Sequence, residues 1–402
     1  MLKARHLPVT AAVAAGLIPF TMAAPAAAAP APSAASLQET RWVAMGDSFQ
    51  SGVGTGDYYD DSGDCERSPE AHPQLLHENG VVPGGLDFVA CSGAAIDDLY
   101  SGRHGEPPQM DAVRENSENI SHVTVGIGGN DLDFASNLLE CIIQGWAGDS
   151  CEERLDDRVQ ERFDEIMAQD PGTGLNKFQQ VYTDIAGEVP ESAAIAAITY
   201  PRFFPVDGGS DWTGQDRCAT IRVSDQLWIN NWIQRLNTGI ADSAESTGAL
   251  PIDLYDAPAG RELCNPDGND RYLHAVQFDS STFHPTPLGY QINADVVGPH
   301  LQGAGAQPVP AEVLSVRDLP EPPEARAEIG QDGDMISVDG SESTEGDGRI
   351  ETYLWEFDDG ELVEGESVTH TYEEEGTYHV TLTVIDANGE MGFSDGMEIV
   401  VG

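Results

Sequence analysis

The sequence predicts an α/β protein built on a parallel sheet, followed by a smaller all-β domain. Three observations carry that expectation. Short, β-rich apolar runs alternate with longer amphipathic stretches between Arg41 and Leu301. A Pro-rich segment of low complexity then interrupts the chain, and beyond it apolar residues recur with period two. Alternating strand and helix signals indicate βαβ units, whereas sustained period-two alternation indicates strands half-buried in an antiparallel sheet.

Length and composition set the limits. The chain has 402 residues, 40% of them hydrophobic, which exceeds one ordinary domain and suffices for a sizeable core. Lys and Arg total 19 against 69 Asp and Glu, giving a formal net charge of -50. Only Lys3 and Lys177 are lysines. Such a surface repels phosphate backbones and anionic headgroups, so nucleic acid is excluded as a partner. The acidity is shared: residues 38–302 carry 44 acids and 14 bases, and residues 321–402 carry 23 acids and two Arg. A carboxylate-saturated surface throughout both halves points to a protein adapted to concentrated salt, a halophilic character, more than to one binding patch.

Residues 1–29 read as a signal peptide. Lys3, Arg5 and His6 give a basic start, Val9 to Met22 an apolar run, and Ala27 to Ala29 a small-residue cleavage site. No later stretch reaches the length of a membrane-spanning helix, so the expected mature protein is exported, extracellular and without a membrane span.

In the following segment, residues 38–302, the strand candidates are Arg41–Met45, Asp87–Ala90, His122–Ile127, Ala193–Thr199 and Ala249–Leu254. Each is short, apolar and bounded by Gly, Pro, Asp or Ser. The helix candidates between them include Glu152–Gln169, Leu175–Val189 and Val223–Glu245. Residues 303–320 form a Pro/Gly/Ala linker. In residues 321–402, Tyr378, Val380, Leu382 and Val384 alternate with polar neighbours and predict a strand with one buried face.

Six cysteines, Cys65, Cys91, Cys141, Cys151, Cys218 and Cys264, make an even set in an exported chain and read as disulfides. A zinc site is the rival, but there is no CxxC knuckle and no His at ligand spacing. The spacing is compatible with 65–91, 141–151 and 218–264, while the connectivity stays open.

Chemistry in an open α/β sheet collects at the C-terminal ends of the strands. Strand one ends in Met45-Gly46-Asp47-Ser48-Phe49, strand two in Ala90-Cys91-Ser92-Gly93 and strand three in Gly126-Ile127-Gly128-Gly129-Asn130-Asp131. Far downstream lies Thr282-Phe283-His284-Pro285, followed by Gly289. Taken singly, Ser48 would be a helix cap, Gly93 a turn, Asn130 a loop residue and His284 one of ten histidines. Together they fit acyl transfer: Ser48 as nucleophile, His284 as base, and the Ser48 and Gly93 backbone N–H groups with the Asn130 amide as oxyanion donors.

These blocks resemble the GDSL or SGNH hydrolases, in their secreted actinobacterial branch. The match rests on GDSFQSG at 46–52, CERSP at 65–69, ACSGA at 90–94, GIGGND at 126–131 and FHPTPLGY at 283–290. The resemblance implies a flavodoxin-like α/β/α three-layer sandwich, esterase or lipase activity, no metal or organic cofactor, and disulfides between neighbouring cysteines. The family commonly places an acid three residues before the catalytic His, where this chain has Ser281. The imidazole is then expected to be held by the Ser281 backbone carbonyl, giving a Ser–His dyad, or by Asp279. The segments WEFDDG at 355–360, HTY at 370–372 and GTYHVTLTV at 376–384 resemble PKD domains, implying an immunoglobulin-like β-sandwich that acts as a spacer or a module for polysaccharide or protein surfaces.

The resulting expectation is a secreted, monomeric serine carboxylic-ester hydrolase acting on lipid or small esters. Phospholipase and polysaccharide-deacetylase esterases are the alternatives within hydrolases. The alternative class is a non-catalytic surface-binding protein, against which retention of all four block residues argues.

Overall fold

The computed structural model describes residues 40–144, 150–206, 221–264, 270–277, 279–303 and 320–402. The expected signal peptide, most of the linker and Cys218 lie outside the described residues.

Five strands form the first sheet: β1 (Arg41–Gly46), β2 (Gly85–Phe88), β3 (Ile120–Gly126), β4 (Ala194–Ile198) and β5 (Leu250–Ile252). They are all parallel, in the order β2-β1-β3-β4-β5. That is the flavodoxin-like order, whose direction reverses between β1 and β3 and leaves a crevice at their C-terminal ends. All five strand expectations are met within a few residues.

Alternate strand residues feed two cores. Val43 and Met45 of β1 and Val123 and Val125 of β3 point into the larger one. That core is shared with α4 (Gln109–Glu115), α6 (Cys151–Met167), α7 (Lys177–Glu188) and α8 (Val223–Thr247). Trp42 and Ala44 point to the opposite face, against α2 (His72–Glu78) and α9 (Pro287–Gly303). The result is the expected three-layer sandwich. In α6, Cys151, Leu155, Val159, Phe163 and Ile166 recur at helical spacing and are buried. Ser150 caps it by accepting from the Glu153 N–H at 3.1 Å.

Two further short helices, α1 (Ser48–Ser51) and α3 (Asp98–Ser101), follow β1 and β2, and α5 (Phe134–Gln144) follows β3. The helices α1 and α3 were not legible, since each spans a single turn, too short to show a helical period.

Cys65–Cys91 and Cys141–Cys151 are bonded as the resemblance implies. Cys264 is also disulfide-bonded, while the other cysteine of the expected 218–264 bridge is outside the described residues.

The C-terminal domain is an antiparallel sandwich. One sheet is β10 (Ser367–Thr371), β7 (Met335–Asp339) and β6 (Glu328–Asp332). The other is β12 (Met391–Phe393), β11 (Gly376–Asp386), β8 (Ile350–Phe357) and β9 (Leu362–Glu364), with β13 (Met397–Val401) also on β11. Val380, Leu382 and Val384 of β11 are fully buried with Trp355 and Phe357 as expected, but Thr381 and Thr383 between them are buried too, so the strand is covered on both faces where α8 packs against it, not on one.

The two domains touch. Helix α8 packs against β11 and β12, and Phe393 joins the larger core of the first domain. Glu356 Oε1 and Oε2 accept from the Val223 and Ser224 N–H groups at 2.7 and 2.8 Å, and Arg235 Nη1 donates to Glu390 Oε2 at 3.0 Å.

Candidate active site

The site grows from the turn between β1 and α1. Gly46 has φ 134°, a region closed to side chains, and a Cβ there would sit 2.1 Å from the Gly126 carbonyl oxygen. The Gln109 side chain clasps the same glycine, accepting from its N–H at 2.7 Å and donating to its carbonyl at 2.9 Å. The Asp47 N–H donates to the Gly126 carbonyl at 3.0 Å, tying the turn to β3. Asp47 Oδ1 then caps α1 by accepting from the Phe49 N–H at 3.0 Å. This sharp, doubly held turn presents Ser48 at the first position of a helix, with its N–H among the unpaired donors of that terminus.

Burial pushes the Asp47 carboxyl up to about 7, against the opposing pull of the Tyr200 hydroxyl and the Phe49 N–H. Tyr200 donates its hydroxyl to Asp47 Oδ2 at 2.5 Å and accepts from the Gly129 N–H at 3.0 Å. One phenol therefore joins the β1 turn to the β3 turn.

His284 arrives on the segment before α9. That segment doubles back on itself: the His274 N–H donates to the His284 carbonyl at 2.9 Å and the Phe283 N–H to the His274 carbonyl at 3.1 Å. Phe283 takes a left-handed φ of 62°, unusual for an aromatic residue, and is buried. The fold-back places His284 Nε2 2.7 Å from Ser48 Oγ. Its Nδ1 lies 3.0 Å from the Thr282 carbonyl oxygen. A carbonyl can only accept, so Nδ1 carries the proton and Nε2 offers its lone pair to the Ser48 hydroxyl.

This corrects the expectation for the orienting group. The Ser281 carbonyl accepts from the His284 backbone N–H at 3.0 Å, not from the ring. Asp279 Oδ1 is occupied by Ser281, through its N–H at 2.9 Å and its hydroxyl. The tight turn from 279 to 284 aims the carbonyl one residue later at the imidazole, and the acid is consumed in building that turn. His284 is half-buried, and desolvation pushes it down to about 4; the Thr282 carbonyl opposes this and His274 adds to it.

Gly93 and Asn130 complete the constellation. Ser48, Gly93, Asn130 and His284 line one cavity of about 600 Å³. Asn130 Nδ2 donates to the Ala94 carbonyl at 2.9 Å, which fixes the amide and links the β3 turn to the β2 turn. Arg103 braces the Gly93 turn, donating from Nε to the Ser92 carbonyl at 3.1 Å and from Nη1 to Asp98 at 3.0 Å. A Cβ at Gly93 would lie 2.7 Å from Arg103 Nη2. The neighbouring Asp131 is half-buried, and desolvation pushes its carboxyl up to about 6 against the Ile96 N–H, which donates to it at 3.0 Å.

Away from the Ser–His pair the cavity is apolar, walled by Phe134, Leu139, Phe203, Ile233, Leu236 and Phe283. Phe203 packs edge-on to Phe134 and tilted on Phe283. Such a slot suits an acyl chain.

The four predicted block residues are thus brought together. Tyr200, Gln109 and Thr282 were missed: the first two stand outside every motif, and Thr282 acts through a main-chain atom. Among the described residues, the group of metal-ligating side chains close enough to hold an ion is Cys141, Cys151 and Asp225, and its two sulfurs are bonded to each other.

Comparison with known proteins agrees with this geometry. Residues 319–401 match the PKD domain family. The chain is 33% identical over 250 residues to Lipase 1 of Streptomyces coelicolor, covering 62% of this chain and 81% of that one. The crystal structure of the extracellular lipase from Streptomyces rimosus superimposes with a TM-score of 0.53 at 30% identity, covering 65% of this chain and 99% of that one. Phospholipase A1 from Streptomyces albidoflavus gives 0.52 at 29% identity, covering 65% and 98%. With residues 44–292 matching its description, the chain belongs to the GDSL-like lipase/acylhydrolase family and is a carboxylic-ester hydrolase.

Proposed function

We propose that this protein is an exported lipase or long-chain esterase working through an acyl-enzyme on Ser48. His284 Nε2 takes the Ser48 proton as Oγ attacks the ester carbonyl, and the carbonyl π electrons move to oxygen. The Ser48 and Gly93 N–H groups and the Asn130 amide stabilise that oxyanion. Collapse of the tetrahedral intermediate expels the alcohol, protonated by His284, and leaves the acyl group on Ser48. A water then repeats the sequence and releases the acid, with the proton returned to Ser48.

The observation that carries this reading is the 2.7 Å approach of His284 Nε2 to Ser48 Oγ with Nδ1 committed to the Thr282 carbonyl. It supplies the needed tautomer without a side-chain acid. A surface-binding protein derived from a hydrolase has no use for that alignment.

The apolar slot favours esters with an extended acyl chain over acetylated polysaccharide. The net charge of -50 disfavours docking on anionic phospholipid, so neutral lipid esters are the substrate class we infer. Export is supported by the basic-then-apolar start of the sequence, and no described helix is long and apolar enough to cross a membrane. We take residues 38–302 as the catalytic domain, 303–320 as linker and 321–402 as the second domain, in a monomer that works in high salt; the second domain could present a surface to polysaccharide or protein. A series of p-nitrophenyl esters from acetate to palmitate, followed by triglyceride and phosphatidylglycerol emulsions, tests the reading. It expects kcat/KM to climb with chain length and triglyceride to exceed the anionic phosphatidylglycerol. Absence of turnover on every ester would end it.

A further inference from the structure

Helix α8 lacks a cap of its own. Arg222 stands at its N-cap position and gives no side-chain acceptor to the first turn. Both acceptors come instead from the second domain, where the two oxygens of Glu356 take the Val223 and Ser224 N–H groups. Three turns further along, Arg235 is paired with Glu390 of the same domain, and both side chains are about nine-tenths buried. The second domain therefore grips α8 at its start and near its middle.

The same helix builds the pocket. Ile233 and Leu236 line the cavity. Asn230 holds the segment carrying Phe203, its Oδ1 accepting from the Phe203 and Phe204 N–H groups at 3.1 Å. Asn237 clasps the Tyr200 backbone, accepting from its N–H at 2.8 Å and donating to its carbonyl at 2.7 Å. Tyr200 in turn reaches Asp47, next to Ser48. The contacts that Glu356 and Glu390 make with α8 fall on 223–235, and that stretch overlaps the one that shapes the acyl slot.

We propose that Glu356 and Glu390 of the C-terminal domain are positioning residues for acyl-chain recognition, holding α8 so that Ile233, Leu236 and the Phe203 segment form the slot. The domain is then part of the catalytic unit, not a spacer. This rests on the hydrolase reading above and deepens it, since the ends of the ester are treated differently: the reacting carbonyl is served by groups on β1, β2 and β3, whereas the chain is received by a wall set from the other domain.

The test uses the full-length protein. Glu356→Ala and Glu390→Ala are compared with the unaltered enzyme on p-nitrophenyl acetate and p-nitrophenyl decanoate, well below their melting temperatures. The expected result is a KM for decanoate raised roughly tenfold, the scale of a lost hydrophobic contact in a pocket, with kcat and the acetate reaction nearly unchanged. Glu356→Gln, which keeps one acceptor oxygen, should fall between. A role confined to stability would lower kcat equally on both esters by reducing the active fraction, and would leave the decanoate-to-acetate ratio untouched; that outcome overturns the proposal. Should a variant not fold, hydrogen exchange in the unaltered protein still decides: the Val223 and Ser224 amides should exchange as slowly as those of β8, and rapid exchange at both would overturn it. Failure of the hydrolase reading looks different, as absence of ester turnover in the unaltered enzyme.

Discussion

The Thr282 carbonyl oxygen lies 3.0 Å from His284 Nδ1, so a main-chain atom stands where an aspartate carboxylate often does. A carboxylate would stabilise the imidazolium that forms during the reaction; a carbonyl dipole does so more weakly but fixes the same tautomer. Side-chain substitution cannot delete that acceptor. Asp279→Asn and Ser281→Ala should therefore each slow p-nitrophenyl butyrate turnover by less than about tenfold, far short of the roughly 10⁴ lost with a triad carboxylate. A collapse in Asp279→Asn alone would mean the acid swings to the ring during turnover.

The acid limb of the pH profile should sit unusually low. Burial lowers His284 to about 4 from its ordinary 6.5, so the neutral base needed for attack persists as pH falls. kcat/KM, which reports the free enzyme, should lose half its value at a pH below 6.5 and nearer to 4. For stability the sign is the same: the folded state resists protonation between these values, so it is disfavoured as pH drops through that window. An acid-limb midpoint at or above 6.5 would show that the ring is solvated in solution.

Ser48→Ala should abolish ester hydrolysis and leave far-UV circular dichroism unchanged, because among the described residues the Ser48 Oγ is hydrogen-bonded to His284 alone. Asn130→Ala should keep acylation but slow it by about 10² to 10³, the usual cost of one oxyanion donor. Full activity in Ser48→Ala would move the nucleophile elsewhere.

The strands and the four block residues were legible because both depend on local pattern, whereas the order of the strands came only with the family resemblance. Strands buried on two faces read as continuous apolar runs, and Gly46, Gly93 and Gly128-Gly129 mark the turns at which three of them end. What sequence could not supply were atoms defined by the fold. Thr282 contributes only a carbonyl, aimed by a turn that Asp279 and Ser281 build. Tyr200 and Gln109 sit in no motif and gain their roles from where β4 and α4 land. The cap of α8 comes from Glu356, 133 positions away in sequence, and a Glu in a strand carries no local sign of that role.

Removing the Cys65–Cys91 bridge should cost rate as well as stability. Cys91 is two residues before Gly93, and the Ser92 N–H donates to the Cys65 carbonyl at 3.0 Å, so the bridge anchors the turn that offers the Gly93 N–H. The paired Cys65→Ala/Cys91→Ala variant should lose about 2–5 kcal/mol in denaturant unfolding. Its kcat should also fall, whereas loss of Cys141–Cys151, which joins α5 to α6 and does not hold the Gly93 turn, should lower stability with a smaller effect on kcat.

Salt and alkali should act on the domain interface in opposite directions. Glu152 of α6 is partly buried near Asp156 and near Asp395 of the second domain, and burial first, then those acids, push its carboxyl up to about 8. A raised acid holds its proton in the folded state, so its contribution is complete below the unfolded value of 4.5 and is lost as pH rises through 8. Above that, like charges face each other across the junction in a molecule already at -50. Raising salt from 0.1 M to 1 M shortens the screening length from about 10 Å to 3 Å and relieves both the local and the global repulsion. The melting temperature should therefore rise with salt at pH 8, and the rise should be smaller at pH 5, where Glu152 is neutral. Glu152→Gln removes the local charge, so it should raise the melting temperature at pH 8 in low salt and change little at pH 5. Scanning calorimetry of both proteins in the four conditions measures this. An equal salt response at the two pH values would leave only the diffuse surface charge at work and remove Glu152 from the account.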